Sequence, residues 1–255
     1  LVPQEDSMSL TPLFEDAKRR VQATPADVGA RSALWQIFAL RGEYERARTQ
    51  LDALVSFDSS WAMEAEACHG LLQAEAQRER VLAGEVAPVC LGEPPAWFDT
   101  LVAGLSTWRS APQQAAGLLL QAQMESAARA GTVNGQPFEW LCDGDARLGP
   151  CVEVMSKGKY FWLPWSSVRS IVIRPPTELR DRMWAHALVE IGDEGSIELF
   201  LPARYPGPED DEQRMSRMTQ WREFGENAYV GLGQKTLVTD QGETGFLDVR
   251  ELKFA

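Results

Sequence analysis

Residues 131–163, GTVNGQPFEWLCDGDARLGPCVEVMSKGKYFWL, decide the fold class. Three runs of strand composition, 138–142, 150–155 and 160–163, are separated by the turn signals Asp143-Gly144-Asp145 and Ser156-Lys157-Gly158. Runs this short, bounded by Gly, Asp and Ser, are the pattern of antiparallel strands joined by tight turns. The same texture continues downstream at 170–173, 184–191, 197–201, 234–239 and 245–252, with turns at Gly192-Asp193-Glu194-Gly195 and Asp240-Gln241-Gly242. Pro175-Pro176 interrupts it before a short turn at 179–182, and 210–220 reads as a helix. About eight strands and one helix predict a compact, mostly antiparallel α+β or barrel-like module over residues 131–255.

Upstream of Gly131 the period changes from two to between three and four. Leu13, Phe14, Ala17 and Val21 recur at helical spacing between Pro12 and Pro25. Leu34, Ile37, Phe38 and Arg41 do so in 26–41, and Tyr44, Ala47, Leu51, Leu54 and Val55 in a helix that starts at Glu43. Asp58-Ser59-Ser60 breaks the pattern and offers an N-cap to a helix over 61–82, which Gly84 ends. A second pair of helices, 96–109 and 112–130, follows the Pro- and Gly-rich linker 84–95, whose two apolar patches predict packing along the helices. Leu34, Gly42-Glu43-Tyr44, Ala47, Leu54 and Asp58 resemble one degenerate tetratricopeptide unit. The expected fold class is therefore α+β, with a TPR-like helical domain at 9–130 and a β-rich domain at 131–255.

The chain of 255 residues carries a net charge of −12, with 11 basic against 17 acidic residues up to position 130 and 14 against 20 beyond it. Neither half can neutralise a phosphate backbone, which argues against nucleic acid and against anionic lipid. No apolar run approaches the roughly 20 residues of a spanning helix, so no membrane insertion is expected. Leu1–Leu10 lacks the basic and apolar regions of a secretory signal, and Met8 is the expected natural start. Cys68, Cys90, Cys142 and Cys151 match no zinc or redox spacing. With only His69 and His186 to add, no metal or cofactor is expected, and the thiols fit a reduced, cytoplasmic setting.

No motif for a nucleophile elbow or a phosphate loop is present. His69 reads as an ordinary helix residue and His186 as a half-buried sheet residue. Gly231-Leu232-Gly233 reads as a bend between the helix at 210–220 and the last strands. Asp143, Asp145 and Arg147 form the most suggestive polar cluster. A turn in which each Asp holds backbone N–H groups and Arg147 pairs with one of them is favoured over a cation site or a carboxylate-based hydrolase. Arg204-Tyr205-Pro206-Gly207 closes a strand with a turn signal. Trp35, Phe38, Tyr44, Trp61 and Trp97 are candidate anchors of a groove built by the helices. At least half of them are expected in the core, because paired helices must bury one face each.

Several blocks together resemble the ImpE/SciE, or TagJ-like, family of type VI secretion proteins. They are Arg41-Gly42-Glu43-Tyr44-Glu45-Arg46-Ala47, Gly92-Glu93-Pro94 with Trp97, and Gly131-Thr132-Val133-Asn134-Gly135. They continue with 140–150, 158–164, Pro175-Pro176 with Leu179-Arg180-Asp181, 202–207, 231–234 and Asp248-Val249-Arg250. The departure is at the front, where the family usually has one more helix before Leu13. The resemblance implies a non-enzymatic accessory role with no catalytic residue to carry over. It implies binding of the N-terminal segment of the small sheath subunit and a link to the ClpV-type AAA+ ATPase that dismantles the contracted sheath. It makes Asp143, Asp145, Arg147, Arg204 and Tyr205 motif residues of structural character. The reading of the residues alone leaves open a general peptide-binding scaffold unrelated to secretion.

Overall fold

A computed structural model describes residues 9–192 and 195–255. The expected start at Met8 and the centre of the turn at Asp193-Glu194 lie outside the described residues. Six helices come first: α1 (Leu10–Ala23), α2 (Val28–Leu40), α3 (Tyr44–Phe57), α4 (Ala62–Leu82), α5 (Phe98–Thr107) and α6 (Pro112–Glu125). The Ser9 hydroxyl caps α1, and Pro12 falls in its first turn, where a backbone N–H has no helical partner to lose. Asp27 caps α2 by accepting from Ala30 N at 2.9 Å, and Arg20 at the end of α1 grips the same carboxylate at 3.0 Å. Gly84 has φ +79° and ends α4, where Glu85 N donates to Arg80 O and Gly84 N to Val81 O. Asp58 caps a 3-10 turn at Ser59–Trp61 that runs into α4.

The strands are β1 (Gly131–Val133), β2 (Gln136–Phe138), β3 (Leu141–Asp143), β4 (Cys151–Ser156), β5 (Lys159–Pro164), β6 (Val168–Ile173) and β7 (Trp184–Ile191). They continue with β8 (Gly195–Pro202), β9 (Thr219–Gly225), β10 (Ala228–Gly233), β11 (Thr236–Thr239), β12 (Gly242–Gly245) and β13 (Glu251–Phe254). All named pairings are antiparallel, so the α+β class holds. Eight strands form one sheet in the order β2-β1-β13-β6-β7-β8-β4-β5. β12-β11-β3 and β10-β9 form two smaller sheets. Lys157-Gly158 joins β4 to β5 with φ of 48° and 75°, the two left-handed residues a two-residue hairpin of this hand requires.

Three expectations are corrected. The helix expected at 210–220 is only α7 (Asp211–Arg214). Asp210 caps it, but Ser216 turns to φ 53° and gives its hydroxyl to Arg182 O, and the chain goes straight into the β9–β10 hairpin. Gly231 and Gly233 therefore lie within β10 and not at a bend after a helix. The linker does not simply follow the helices: Trp162 N donates to Val89 O at 2.9 Å and Leu91 N to Trp162 O at 2.8 Å, a parallel rail along the free edge of β5. A strand edge left bare invites pairing with another chain, and this rail covers one.

Alternation along β4 and β5 splits the interior into two cores. Val152, Val154 and Leu163 point into a cluster enclosed by the sheet, with Ile171, Val189, Leu201, Leu237 and Leu252. Cys151, Met155, Tyr160 and Trp162 point the other way, into a cluster shared with Leu40, Leu51, Leu72, Phe98 and Leu119 of the helices. The apolar core of residues 9–130 thus runs without a break into residues 131–255.

Candidate functional site

Between α4 and the sheet lies a layer of eight buried charges. Glu75 and Arg78 come from the inner face of α4, and Glu153 sits at an inward position of β4. Asp143, Asp145 and Arg147 come from the turn after β3, Arg204 follows β8, and Lys235 precedes β11. Four are cations and four are anions, so the layer is neutral. Arg78 clasps Glu153 through Nε at 2.6 Å and Nη2 at 3.0 Å, holds Glu75 at 2.8 Å, and donates to Arg204 O at 2.7 Å. Lys235 Nζ bridges Glu153 at 2.7 Å and Asp143 at 2.9 Å.

The expected turn is present in full. Asp143 Oδ1 accepts from Asp145 N at 3.0 Å, and Asp145 Oδ1 from Arg147 N at 3.0 Å. Arg147 forks onto the Asp145 carboxylate at 2.9 and 2.6 Å. Arg147 also reaches Leu82 O at the end of α4, and Arg204 reaches Leu40 O at the end of α2. Both helix C-termini, the negative ends of their dipoles, thus receive an arginine from the β half. Tyr205 donates to Asp143 Oδ1 at 2.7 Å, Tyr160 to Glu153 Oε1 at 2.6 Å, and Trp184 Nε1 to Glu75 Oε2 at 2.9 Å. Gly231 in β10 has no Cβ because one would stand 2.1 Å from the Tyr205 ring.

Burial alone would raise the carboxyl of Glu153, but Arg78 and Lys235 overcome it and hold the group down at about 2. Asp143 is pushed up by burial, with Lys235 opposing. Buried ionised groups paired in this way fix geometry, and they are poorly placed to exchange protons with a substrate. Asp143, Asp145 and Glu153 line neither of the two clefts along the seam between helices and sheet. Among the described residues no cluster of three or more His, Cys, Asp or Glu could hold a metal ion. The Cys68 thiol lies 3.2 Å from Arg180 Nη1, yet burial pushes it up to about 11, so it is a neutral thiol. His69 pairs with Asp52 at 3.0 Å, and His186 stacks on Phe200 at 5.0 Å.

Open space lies along the seam where helices and sheet part. One cleft of about 620 Å³ runs between α2, Trp61 and residues 176–182, with Gly29, Ala33, Leu179 and Pro176 in its walls. Gln36 fixes its far wall by accepting from Arg180 N at 2.9 Å, and Arg180 pairs with Glu64 at 2.7 Å. A second cleft of about 670 Å³ lies between α4 and the β4–β5 hairpin, walled by Met63, Leu71, Met155 and Phe200.

The five expected aromatic anchors separate accordingly. Trp35, Phe38 and Trp97 are buried in the shared core. Tyr44 is half-buried and donates to Glu79 at 2.7 Å. Trp61 alone of the five lines one of these clefts. Arg204 and Tyr205 belong to the charge layer. Reasoning from sequence missed Glu75, Arg78, Glu153 and Lys235. The available signal was Glu153 itself, a lone charge in the apolar strand CVEVM.

The fold and the charge layer define a class: an α+β protein whose helical stack is sealed onto an antiparallel sheet. A crystal structure of a Vibrio parahaemolyticus protein has a similar fold, with a TM-score of 0.87 at 25% identity over 96% of this chain and 94% of that one. The family described as ImpE protein matches residues 135–253. The type VI secretion system accessory component TagJ of Pseudomonas aeruginosa is 36% identical over 241 residues, 93% of this chain and 84% of that protein. This chain belongs to the ImpE family of type VI secretion accessory components. No described helix is long and apolar enough to cross a membrane.

Proposed function

We propose that the chain is a non-enzymatic, cytoplasmic adaptor of a type VI secretion system that takes the N-terminal segment of the small sheath subunit into the cleft lined by Trp61. Through the sheath it is linked to the ClpV-type AAA+ ATPase. The similarity to TagJ supports the secretion setting. The observation that carries the binding mode is the cleft itself. It has one half-exposed indole, small residues at Gly29 and Ala33 that leave room for a guest, and polar groups of Ser32, Thr177 and Arg182 at its rim. A large aromatic flanked by polar rim groups is the arrangement that anchors a peptide. The charge of −12 raises the encounter rate with a basic or amphipathic segment at low salt.

The test is calorimetric titration of the full chain with a synthetic N-terminal peptide of the small sheath subunit. Binding at tens of micromolar or tighter is expected, and Trp61→Ala weakens it by about 1–3 kcal/mol with the fold intact. No heat of binding at these concentrations overturns the sheath reading. Binding that Trp61→Ala leaves unchanged overturns the site.

A further inference from the structure

We propose that the outer face of α6 is a self-association surface on which two copies of this chain pair. Ala115, Ala116, Leu119 and Ala122 are the buried side of α6, set against α5 and β9. Its other side carries Gln113, Gly117, Leu120 and Met124, spaced four, three and four residues apart. That is the seam spacing of a helix that meets another helix. Leu120 is 56% exposed and Met124 78%, and nothing stands within 4 Å of where a side chain at Gly117 would begin. The seam runs on to a cleft of about 360 Å³ that Met124 lines together with Ala127, Ala128 and the half-exposed Trp140.

Charge decides the occupant. From Pro112 to Met124 the helix has no ionisable residue, on a chain that is 24% charged. Copies that each carry −12 repel one another at most orientations, so a contact between them falls where the surface is neutral. A basic partner would find no carboxylate from Pro112 to Met124, and Glu125 alone borders the cleft at the far end of the seam. A two-fold contact also requires a patch that complements itself. Leucine and methionine do so by packing, and glutamine does so because its amide both donates and accepts. Gly117 lets two backbones approach at the middle of the seam. Gln113 and Gln121 already make contacts within the chain, to Glu226 N and Glu125, which position their amides at the rim.

The size of the patch sets the strength. A helix of 14 residues is about 21 Å long. Paired alone it falls short of the roughly 1,000 Å² a stable interface buries, so the Trp140 shelf is included and the dimer is of the weak, concentration-dependent kind. The test is sedimentation equilibrium of the full chain up to about 100 μM. The average mass rises with concentration from 28.4 kDa toward twice that value. Leu120→Glu and Met124→Glu each hold it at a single copy, with circular dichroism and thermal midpoint unchanged. A wild-type chain that stays a single copy throughout overturns the proposal. A dimer that survives both substitutions overturns its placement on α6.

Discussion

Helix α4 is two different objects along its length. Its second half presents Glu75, Arg78 and Val81 to the sheet, all buried. At its start, half-buried Trp61 borders one open cleft, and Met63, 82% exposed, borders the other. The difference teaches where this molecule is rigid and where it can receive something. A buried ion pair tolerates no displacement, because moving one partner leaves the other unpaired in a low-dielectric interior. The charge layer therefore fixes one register of helices against sheet, and the clefts open where that layer ends.

The largest effect should come from breaking the layer. Arg78→Met strips Glu153 of its bidentate partner and Glu75 of its arginine salt bridge, and urea unfolding should lose about 3–5 kcal/mol. A loss below about 1 kcal/mol would mean that the helices are held by apolar packing alone. Acid should act on the same residues. Glu153 is held at about 2 against an ordinary 4.5, so its contribution is complete above pH 4.5 and is lost as the pH falls toward 2. The size is on the order of 3 kcal/mol. Asp143, raised by burial, works in the opposite sense and returns part of this loss on protonation. Glu153→Gln should flatten the fall in stability over that window, and an unchanged slope would assign the acid sensitivity elsewhere. Smaller again is Gly231→Ala, whose methyl would displace the Tyr205 ring from Asp143, for about 1–3 kcal/mol of overpacking read from the same unfolding curves.

These effects divide along what the sequence made legible. The helices stood out because their apolar period has few ways to be satisfied, and α2 to α4 lie within a few residues of their expected bounds. β7 matched its expected span at both ends. The β9–β10 hairpin was hidden because a helix was expected over 210–220, which takes in the first residues of β9. The Asp143–Arg147 turn was legible because its bonds are local, two residues apart. The rest of the layer was not, since Glu75, Arg78, Glu153 and Lys235 are brought together by topology. The aromatics follow the same rule: spacing placed Trp35, Phe38 and Trp61 on helices, and only tertiary packing, such as that of Phe14 in α1 against Phe38, decided that the first two are core.

The smallest effect discriminates between the two clefts. Met63 is two residues from Trp61 but faces the cleft beside the β4–β5 hairpin, and its side chain is almost wholly in water. Truncating such a residue changes unfolding by no more than about 0.5 kcal/mol. With the guest in the Trp61 cleft, Met63→Ala should also leave peptide affinity within about twofold, while Trp61→Ala lowers it at least several-fold. The reverse pattern, in which Met63→Ala weakens binding and Trp61→Ala does not, would move the guest across α4 to the methionine- and phenylalanine-lined side. Both variants keep Glu75, Arg78 and Glu153 in place, so a change in affinity with either one reports on recognition and not on the lock between helices and sheet.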